Sequence, residues 1–550
     1  MKPSPVLRAA VLAAAPVLLT ACAVSRPPPQ VQASAPSAWQ APLPSLPHGG
    51  SVDGLLDWWR SSLDDALLTG LIADAQALAP SVAQAGAQLA QVRAQQVAAR
   101  SALLPGVDGQ ASASRGFNEQ LGTLASVTQV GAQAAWELDV FGGNAAQLDA
   151  ARARGSAAAA QWHEARVAVA AEVAQHYSAW QTCQRQLAVA EADAHSRGET
   201  ARLSVESERA GFTAPATAAL ATASHADARA RVAQQRLQCE IGVKTLVALS
   251  GRDETLLRTQ LAAAPPLPAT GALFALPALP AQLLAQRPDV YAAEREVAAA
   301  SAEVGAAEAA RYPRLQLLGS IGAGTVRTDV MDATSTTWSI GPVALSVPLF
   351  DAGRRAAQAE AAQARYELAA SRYRAVVRQA VAEVEQGLAR LASTAERAGS
   401  AQQAAAGYRR SFEATQARWQ AGLASLVELE DARRMQLASE TALVALEHER
   451  LSAWIALYRA AGGGWTRALD APAVVGEHPH PSPLPHAGEG ANPAPAPQHA
   501  SADGATPQRA DGAAGATPQR ADGAAAATPR SAAAPCIAPA PSPACGRGWG

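Results

Sequence analysis

The sequence predicts a mixed, mainly α-helical chain that states one plan twice, each half holding a pair of β-strands and a pair of long helices. Three observations lead there. Ala dominates a 49% apolar composition while aromatic residues reach only 4%, which favours long, thinly packed helices over a large aromatic core. Landmarks of the first half return 208 to 211 positions later: Leu104-Pro105 as Tyr312-Pro313, Val140-Phe141 as Leu349-Phe350, Ala210-Gly211-Phe212 as Ala421-Gly422-Leu423, and Leu249 to Gly251 as Ala460 to Gly462. A near-constant offset over four ordered landmarks is a tandem duplication, and it reduces three or four domains suggested by 550 residues to two halves. Within each half, apolar spacing switches from period 3.6 to period 2 and back.

Charge and cysteine content exclude several function classes. The 45 basic and 47 acidic residues give a formal charge of −2, so no nucleic-acid partner is indicated. Lys occurs only at Lys2 and Lys244, which makes the basic residues an Arg set without a basic patch. The cysteines, Cys22, Cys183, Cys239, Cys536 and Cys545, lie nowhere at C-x-x-C spacing, which disfavours a zinc site or a dithiol enzyme. Gly319, Gly322 and Gly324 fall in an alternating pattern with no helix opening after them, so they are no nucleotide loop. No set of Ser, His and carboxylates suggests hydrolysis.

The amino terminus reads as an address. Lys2 and Arg8 precede an apolar run from Ala9 to Leu19 that is too short to span a bilayer. Residues 1–21 are therefore expected to be a removable signal. Leu19-Thr20-Ala21-Cys22 resembles the lipobox of bacterial lipoproteins, in which the cysteine thiol takes a diacylglycerol and its amino group an acyl chain; the other reading of Cys22 is a residue beside an ordinary cleavage site. Ala23 and Val24 follow where an aspartate would imply inner-membrane retention, so the resemblance implies the outer membrane. Residues 22–50, rich in Pro, read as an extended tether.

The first structural repeat is expected over 51–262. Leu67, Leu71, Ile72, Leu78, Val82, Leu89, Val92 and Val97 recur at helical spacing, which predicts one helix from Leu63 to Leu104 that ends before Pro105. Residues 106–118 alternate. So do 128–140, where Val130, Ala132, Ala134, Trp136 and Leu138 oppose Gln129, Gln133 and Glu137; these are two strands joined near Asn118 to Thr123. From Asn144 to Ala210 the pattern is helical without proline for 67 residues, on the order of 100 Å. Gly211 ends it, and a helix returns over 213–248. The second repeat, 263–465, restates this with strands over 314–327 and 336–349, a long helix from Arg354 to Ala421, the turn at Gly422 and a return over 424–460. A strand of 10 to 13 residues with one apolar and one polar face suits a sandwich or a water-filled membrane barrel. A lipid anchor favours the barrel, and four strands close one only if several chains contribute.

From 466 the composition turns to Pro, Ala, Gly and His, with ATPQRADGA at Ala505 repeated at Ala516. Such a segment buries too little to fold and is expected to be disordered over 466–550. His478 and His480 read as part of that polar tail rather than as a metal site.

Leu283 to Val290 (LLAQRPDV), Ala293-Glu294 and Ala307 through Pro313 resemble a signature of the TolC-like outer membrane efflux proteins, in their lipidated NodT-type branch. Trp58-Trp59, Pro348 to Gly353 (PLFDAG) and the two Ala-Gly-[Phe/Leu] turns also fit, and the resemblance spans about residues 50–465. It implies a homotrimer whose four strands per chain make a twelve-stranded outer-membrane β-barrel and whose helices make a periplasmic tunnel. It also implies a passive exit duct for drugs or other small toxic compounds, coupled through a periplasmic adaptor to an inner-membrane RND-type transporter. No catalytic residue and no cofactor is implied beyond the acyl chains on Cys22.

The resemblance further implies a periplasmic gate at Glu428 and Asp431, six and nine residues after Gly422, whose i, i+3 spacing shares a face while Glu430 points elsewhere. In a trimer six carboxylates would meet; on its own the cluster equally reads as a solvated helix face. Arg209, Gly211, Phe212, Gly422 and Leu423 are implied as adaptor-contact tips, although glycine capping alone explains the two turns. Cys183 and Cys239 flank Gly211 symmetrically, so they are level in an antiparallel hairpin and a disulfide is geometrically open to them. Two small buried thiols on different faces is the alternative, and it stays open at this stage. Two further readings compete: the outer-membrane channel of a type I protein secretion system, and a structural coiled-coil lipoprotein spanning the periplasm.

Overall fold

The computed structural model describes residues 24–43, 59, 63, 65–119, 122–266 and 280–467. The expected signal, Cys22 and the tail from 468 onward lie outside the described residues. The elements in order are α1 (Ala66–Leu78), α2 (Pro80–Ser101), β1 (Gly106–Asn118), β2 (Thr123–Leu138), α3 (Gly143–Arg209), α4 (Pro215–Ser250) and α5 (Glu254–Ala263). They continue with α6 (Pro280–Leu284), α7 (Pro288–Ala309), β3 (Arg314–Arg327), β4 (Asp332–Ser346), α8 (Arg354–Gln420) and α9 (Leu426–Ala460).

The four strands form one antiparallel sheet in the order β1-β2-β3-β4. Register settles what each face carries. One cross-strand row is Gly109, Ala132, Ile321 and Trp338, the next Val107, Ala134, Gly319 and Ile340, the next Trp136, Leu317 and Val343. The other face carries Asp108, Gln133, Ser320 and Ser339, then Ser112, Gln129, Gly324 and Ser335. The apolar face has nothing over it: Ile340 is 86% and Trp338 73% exposed. A β-bulge between Leu317 and Gly319 places Pro342 where β4 makes no ladder bond to β3. Strands of 13 to 16 residues exceed the 9–11 needed to cross a bilayer obliquely.

Each strand pair feeds a helix of 67 residues, α3 or α8. The junctions repeat in detail. Asp139 accepts from the backbone N–H of Asn144 (3.1 Å) and Ala145 (2.7 Å), and Asp351 accepts from that of Gly353 (3.1 Å) and Arg355 (3.2 Å), so each caps the first turn. The rings of Phe141 and Tyr312 stack at 4.9 Å where the two repeats meet. Below the sheet α3 and α7 approach through small side chains, Ala150 against Ala299 and Ala302, because neither helix offers a bulkier residue there.

The principal core lies where the short helices meet the long ones. Leu68, Leu71 and Ile72 of α1, Val173 and Tyr177 of α3, Leu246, Leu257, Leu388, Trp454, Leu457 and Tyr458 form one cluster. Asp65 organises it. Its carboxylate accepts from the backbone N–H of Leu67 (2.9 Å) and Leu68 (3.0 Å), capping α1, and from the Tyr177 hydroxyl at 2.6 Å, all while 2% exposed. Burial pushes the Tyr177 hydroxyl pKa well up, so it stays a donor.

Three expectations need correcting. The single helix expected from Leu63 to Leu104 is two, α1 and α2, bent by 52° at Ala79-Pro80, because a proline ring blocks the helical hydrogen bond and the preceding residue takes an extended conformation. The strands begin earlier than expected, at Thr123 and Asp332, because the hairpin turns are tighter. The tether, described over 24–43, is extended but docked. Arg26 pairs with Asp149 at 3.3 Å, the Ser301 and Tyr366 hydroxyls donate to the carbonyls of Pro27 and Pro28, and Val31, Ala33 and Ala35 pack on α7 and α8. Trp39 enters the core, and the backbone N–H groups of Gln40 and Ala41 donate to the Glu385 carboxylate at 2.7 and 2.8 Å. At the far end the fold also runs slightly further than expected, since Arg467 pairs with Glu294 at 3.0 Å.

Replacing Asp65 by Ala removes a cap and strands a buried tyrosine hydroxyl. We expect a loss of about 2–4 kcal/mol, read as a lower melting temperature of the purified protein, with Tyr177→Phe costing less.

Candidate functional site

The distal ends of the helical hairpins carry the residues that the sequence singles out. Both long helices end in the same way. Gly211 (φ +79) and Gly422 (φ +76) adopt the left-handed conformation open to glycine. The N–H of the next residue then reaches back five, Phe212 to Ser207 and Leu423 to Arg418, which closes a Schellman cap. The geometry leaves Phe212 87% and Leu423 70% exposed, and Arg209, Gly211 and Gly422 are exposed as well. Two apolar side chains thus project from the turns with nothing over them among the described residues.

Glu428 and Asp431 are both exposed on α9. Glu428 closes a capping box, its carboxylate accepting from the Ser425 N–H at 2.7 Å and hydroxyl at 2.9 Å while Ser425 accepts from the Glu428 N–H. These bonds, the backbone one first, hold its carboxyl below the usual range. Asp431 makes a loose, exposed pair with Arg434 at 3.4 Å.

The charge on which the local structure depends is the one between them. Glu430 turns inward, where its carboxylate meets Arg197 of α3, Arg433 of α9 and the Ser224 hydroxyl of α4, the last at 2.9 Å. Arg197 also makes two 3.0 Å bonds to Asp193, and Arg433 donates to Ser196 and Thr200 at 3.0 Å each while lying 5.3 Å over the Phe412 ring. Two guanidinium groups and two carboxylates thus tie α3, α4 and α9 together. Burial pushes the Arg433 pKa down. Sequence reasoning passed over this network; the i, i+4 pair Asp193/Arg197 and the i, i+3 pair Glu430/Arg433 were visible, but nothing local says that the two pairs face each other.

Cys183 and Cys239 are joined by a disulfide with Cα atoms 5.5 Å apart. The alternative of two free thiols on different faces does not hold in the structure.

Nearer the sheet, between α3, α7 and α8, runs a groove of about 800 Å³. Arg154, Glu296, Glu303, Arg365 and Arg372 line it, and Arg154 bonds Glu303 at 2.6 Å. Glu164, at its lower end, faces Asp289, Glu383, Arg287 and Arg459; burial first, then the Asp289 charge, pushes its carboxyl up to about 7. The LLAQRPDV motif finds its reason beside it. Arg287 holds Asp289 (2.7 Å), Glu383 (2.8 Å) and the Ala460 carbonyl (2.9 Å), pinning the end of α9 to the start of α7.

Two predictions follow from these charges. Glu430→Ala leaves the Arg433 guanidinium buried without a carboxylate, while Arg197 keeps Asp193, and is expected to cost about 3–5 kcal/mol, seen as faster proteolysis at the hairpin ends; Glu430→Leu with Arg433→Met should recover most of it. Because the folded pKa of Glu164 lies above the unfolded one, its contribution to stability is complete below about pH 4.5 and is lost as pH rises through about 7. With 27% of the side chain accessible, solvent reduces the effect to about 1–2 kcal/mol. Glu164→Gln should therefore flatten the melting temperature between pH 5 and 8, raising it at pH 8.

Comparison with known proteins accords with this architecture. The family model described as "Outer membrane efflux protein" matches residues 71–252 and again 279–463, one match to each repeat. The chain is 30% identical over 460 residues to outer membrane protein OprJ of Pseudomonas aeruginosa, covering 82% of this chain and 95% of that one. It is 29% identical over 375 residues to the solvent efflux pump outer membrane protein SrpC of Pseudomonas putida, covering 67% and 79%. Among solved structures, the outer-membrane channel OprN superposes with a TM-score of 0.69 at 27% identity, over 80% of this chain and 99% of that one. With both repeats matched and the sheet, paired long helices and turns in place, the chain belongs to the outer membrane efflux protein family.

Proposed function

We propose that three copies of the chain assemble into the exit duct of a tripartite efflux pump, a twelve-stranded barrel in the outer membrane continued by a periplasmic tunnel of helices. The sheet carries this reading. Its apolar face is uncovered, its opposite face is polar, and β1 and β4 leave one edge each unpaired among the described residues. In a bilayer an unpaired edge costs several kcal/mol per orphaned group, so the strands must close on those of other copies. A coiled-coil lipoprotein without a sheet is incompatible with these strands.

In this reading a periplasmic adaptor seats on the exposed tips Arg209, Gly211, Phe212, Gly422 and Leu423, and an inner-membrane RND-type transporter supplies the energy. Solute passes by diffusion and no bond is made or broken. Glu428 and Asp431 from three copies form an acidic ring at the tunnel end, closed by partner contacts rather than by their own mutual repulsion. The docked tether supports a lipid anchor at Cys22. Arg26 sits beside Asp149, about 10 Å along α3 from its first residue, which holds the start of the described chain at the sheet end of the helices. Relatives named for a solvent pump and for cation efflux support export of small toxic compounds as the class of cargo.

The test is conductance and export on the same protein. Purified trimers in planar bilayers are expected to conduct ions, with Glu428→Ala/Asp431→Ala raising conductance severalfold. Phe212→Asp/Leu423→Asp should conduct normally yet fail to restore toxin resistance in an efflux-deficient host. A monomer without conductance, or tip variants with full export, would overturn the reading.

A further inference from the structure

The two helical hairpins share a plan but are held together by different means. Past the level of Cys183 the seam between α3 and α4 contains almost no bulk. Its buried apolar members are all alanine, Ala194, Ala201, Ala218, Ala221 and Ala228, beside the polar Asp193, Arg197, Thr200 and Ser204. At Gly198 the seam is filled from the other side, since a Cβ there would lie 3.2 Å from the His225 ring of α4. The remaining cross-seam contacts are polar: Arg197 with the Ser224 hydroxyl, largely buried, and closer to solvent Arg236 with Glu191 at 2.8 Å, Arg231 with Asp193 at 3.5 Å, and Gln235 with Gln186 at 3.2 Å. The exposed ones among them contribute little each.

The hairpin of α8 and α9 is built otherwise. Over the corresponding length it buries Phe412, Leu426, Leu429, Val444 and Leu446, and Phe412, Leu426 and Leu429 form one cluster against which Ala201 and Ala221 of the first hairpin pack. The positions 28 residues either side of Gly422, as the cysteines are of Gly211, are Thr394 and Arg450. Thr394 is fully buried and bonds its own helix, so no covalent link is open to this pair. Where the apolar residues are present the disulfide is missing, and where they are missing the disulfide is present.

We infer that the Cys183–Cys239 bond fixes the outer half of the first hairpin, doing there what side-chain burial does in the second. The bond closes 56 residues of chain around the Gly211 turn. It sets α3 and α4 in register at the base of that span, so a local opening cannot run past it towards the core. The first hairpin end is then a covalently bounded unit carrying Phe212, and the second an apolar-packed unit carrying Leu423. The inference rests on the protomer's own seams and is independent of what passes through the assembly.

Hydrogen–deuterium exchange on the purified full-length assembly tests it, before and after reduction with a phosphine and in Cys183→Ser/Cys239→Ser. Reduction of the folded protein covers the case in which the variant fails to assemble. Amides within 184–238 are expected to exchange at least tenfold faster without the bond, while those within 395–449 change less than twofold. Equal acceleration in both hairpins, or none in the first, would overturn the inference. So would alkylation of both cysteines in unreduced protein.

Discussion

A sheet with one apolar face, one polar face and two open edges cannot persist as a single copy, and the rest of the molecule is arranged around that constraint. Burying a strand edge in lipid without a partner leaves backbone N–H and C=O groups that no side chain can satisfy. Closure by like copies removes the edges, turns the rows of Ser, Gln and Asp towards enclosed water and the rows of Ile, Trp, Leu and Val towards acyl chains. The duplication then has a geometric use. Two hairpins per chain, each leading directly into a helix of 67 residues, keep the number of strands and long helices matched all the way round.

Length creates the second problem. Helices on the order of 100 Å cannot be stabilised by propensity and need contacts along their whole course. The chain supplies these unevenly: alanine-to-alanine contact under the sheet, a dense aromatic and aliphatic core where α1, α5 and α9 converge, and towards the tips a small cluster in which Phe412, Leu426 and Leu429 meet the alanines of the first hairpin. The docked amino-terminal segment adds to the first two zones, since it runs from Asp149 near the sheet to Glu385 beside the core. The turns at the tips are left exposed, where movement costs least. Buried charge at Glu430 and a disulfide in one hairpin limit that freedom without filling the seam.

Much of this was legible from the chain. Period-2 alternation gave the strand faces, Gly211 and Gly422 gave the turns, and the constant offset between landmarks gave the two-part plan. Those signals are local and are repeated, which protects them from chance. What escaped was long-range. Nothing around Gln40 announces that Glu385 accepts its backbone N–H, and a Pro-rich composition fits a docked segment as well as a free one. Glu430 was set aside because the i, i+3 rule placed it off the Glu428/Asp431 face; the rule was right, and the inward face proved to hold the stronger interactions. Pro80 was misjudged for a different reason, in that an apolar pattern continuous across a proline hid the break.

The two repeats have diverged most where they carry charge and sulfur, and least where they carry glycine. Gly211 and Gly422 make the same cap with the same bonds, because any residue with a Cβ would be strained there whatever its surroundings. The seams below them obey no such backbone rule. Each needs only enough cross-link to hold two helices in register, and burial, ion pairs and a disulfide are interchangeable for that purpose. An acidic pair after one turn and not the other, Glu428 and Asp431 against Thr217 and Leu220, can arise on such a scaffold without disturbing it. Three-fold closure then turns a difference between repeats within one chain into an alternation around a ring, so that the tunnel end presents two kinds of hairpin rather than six alike.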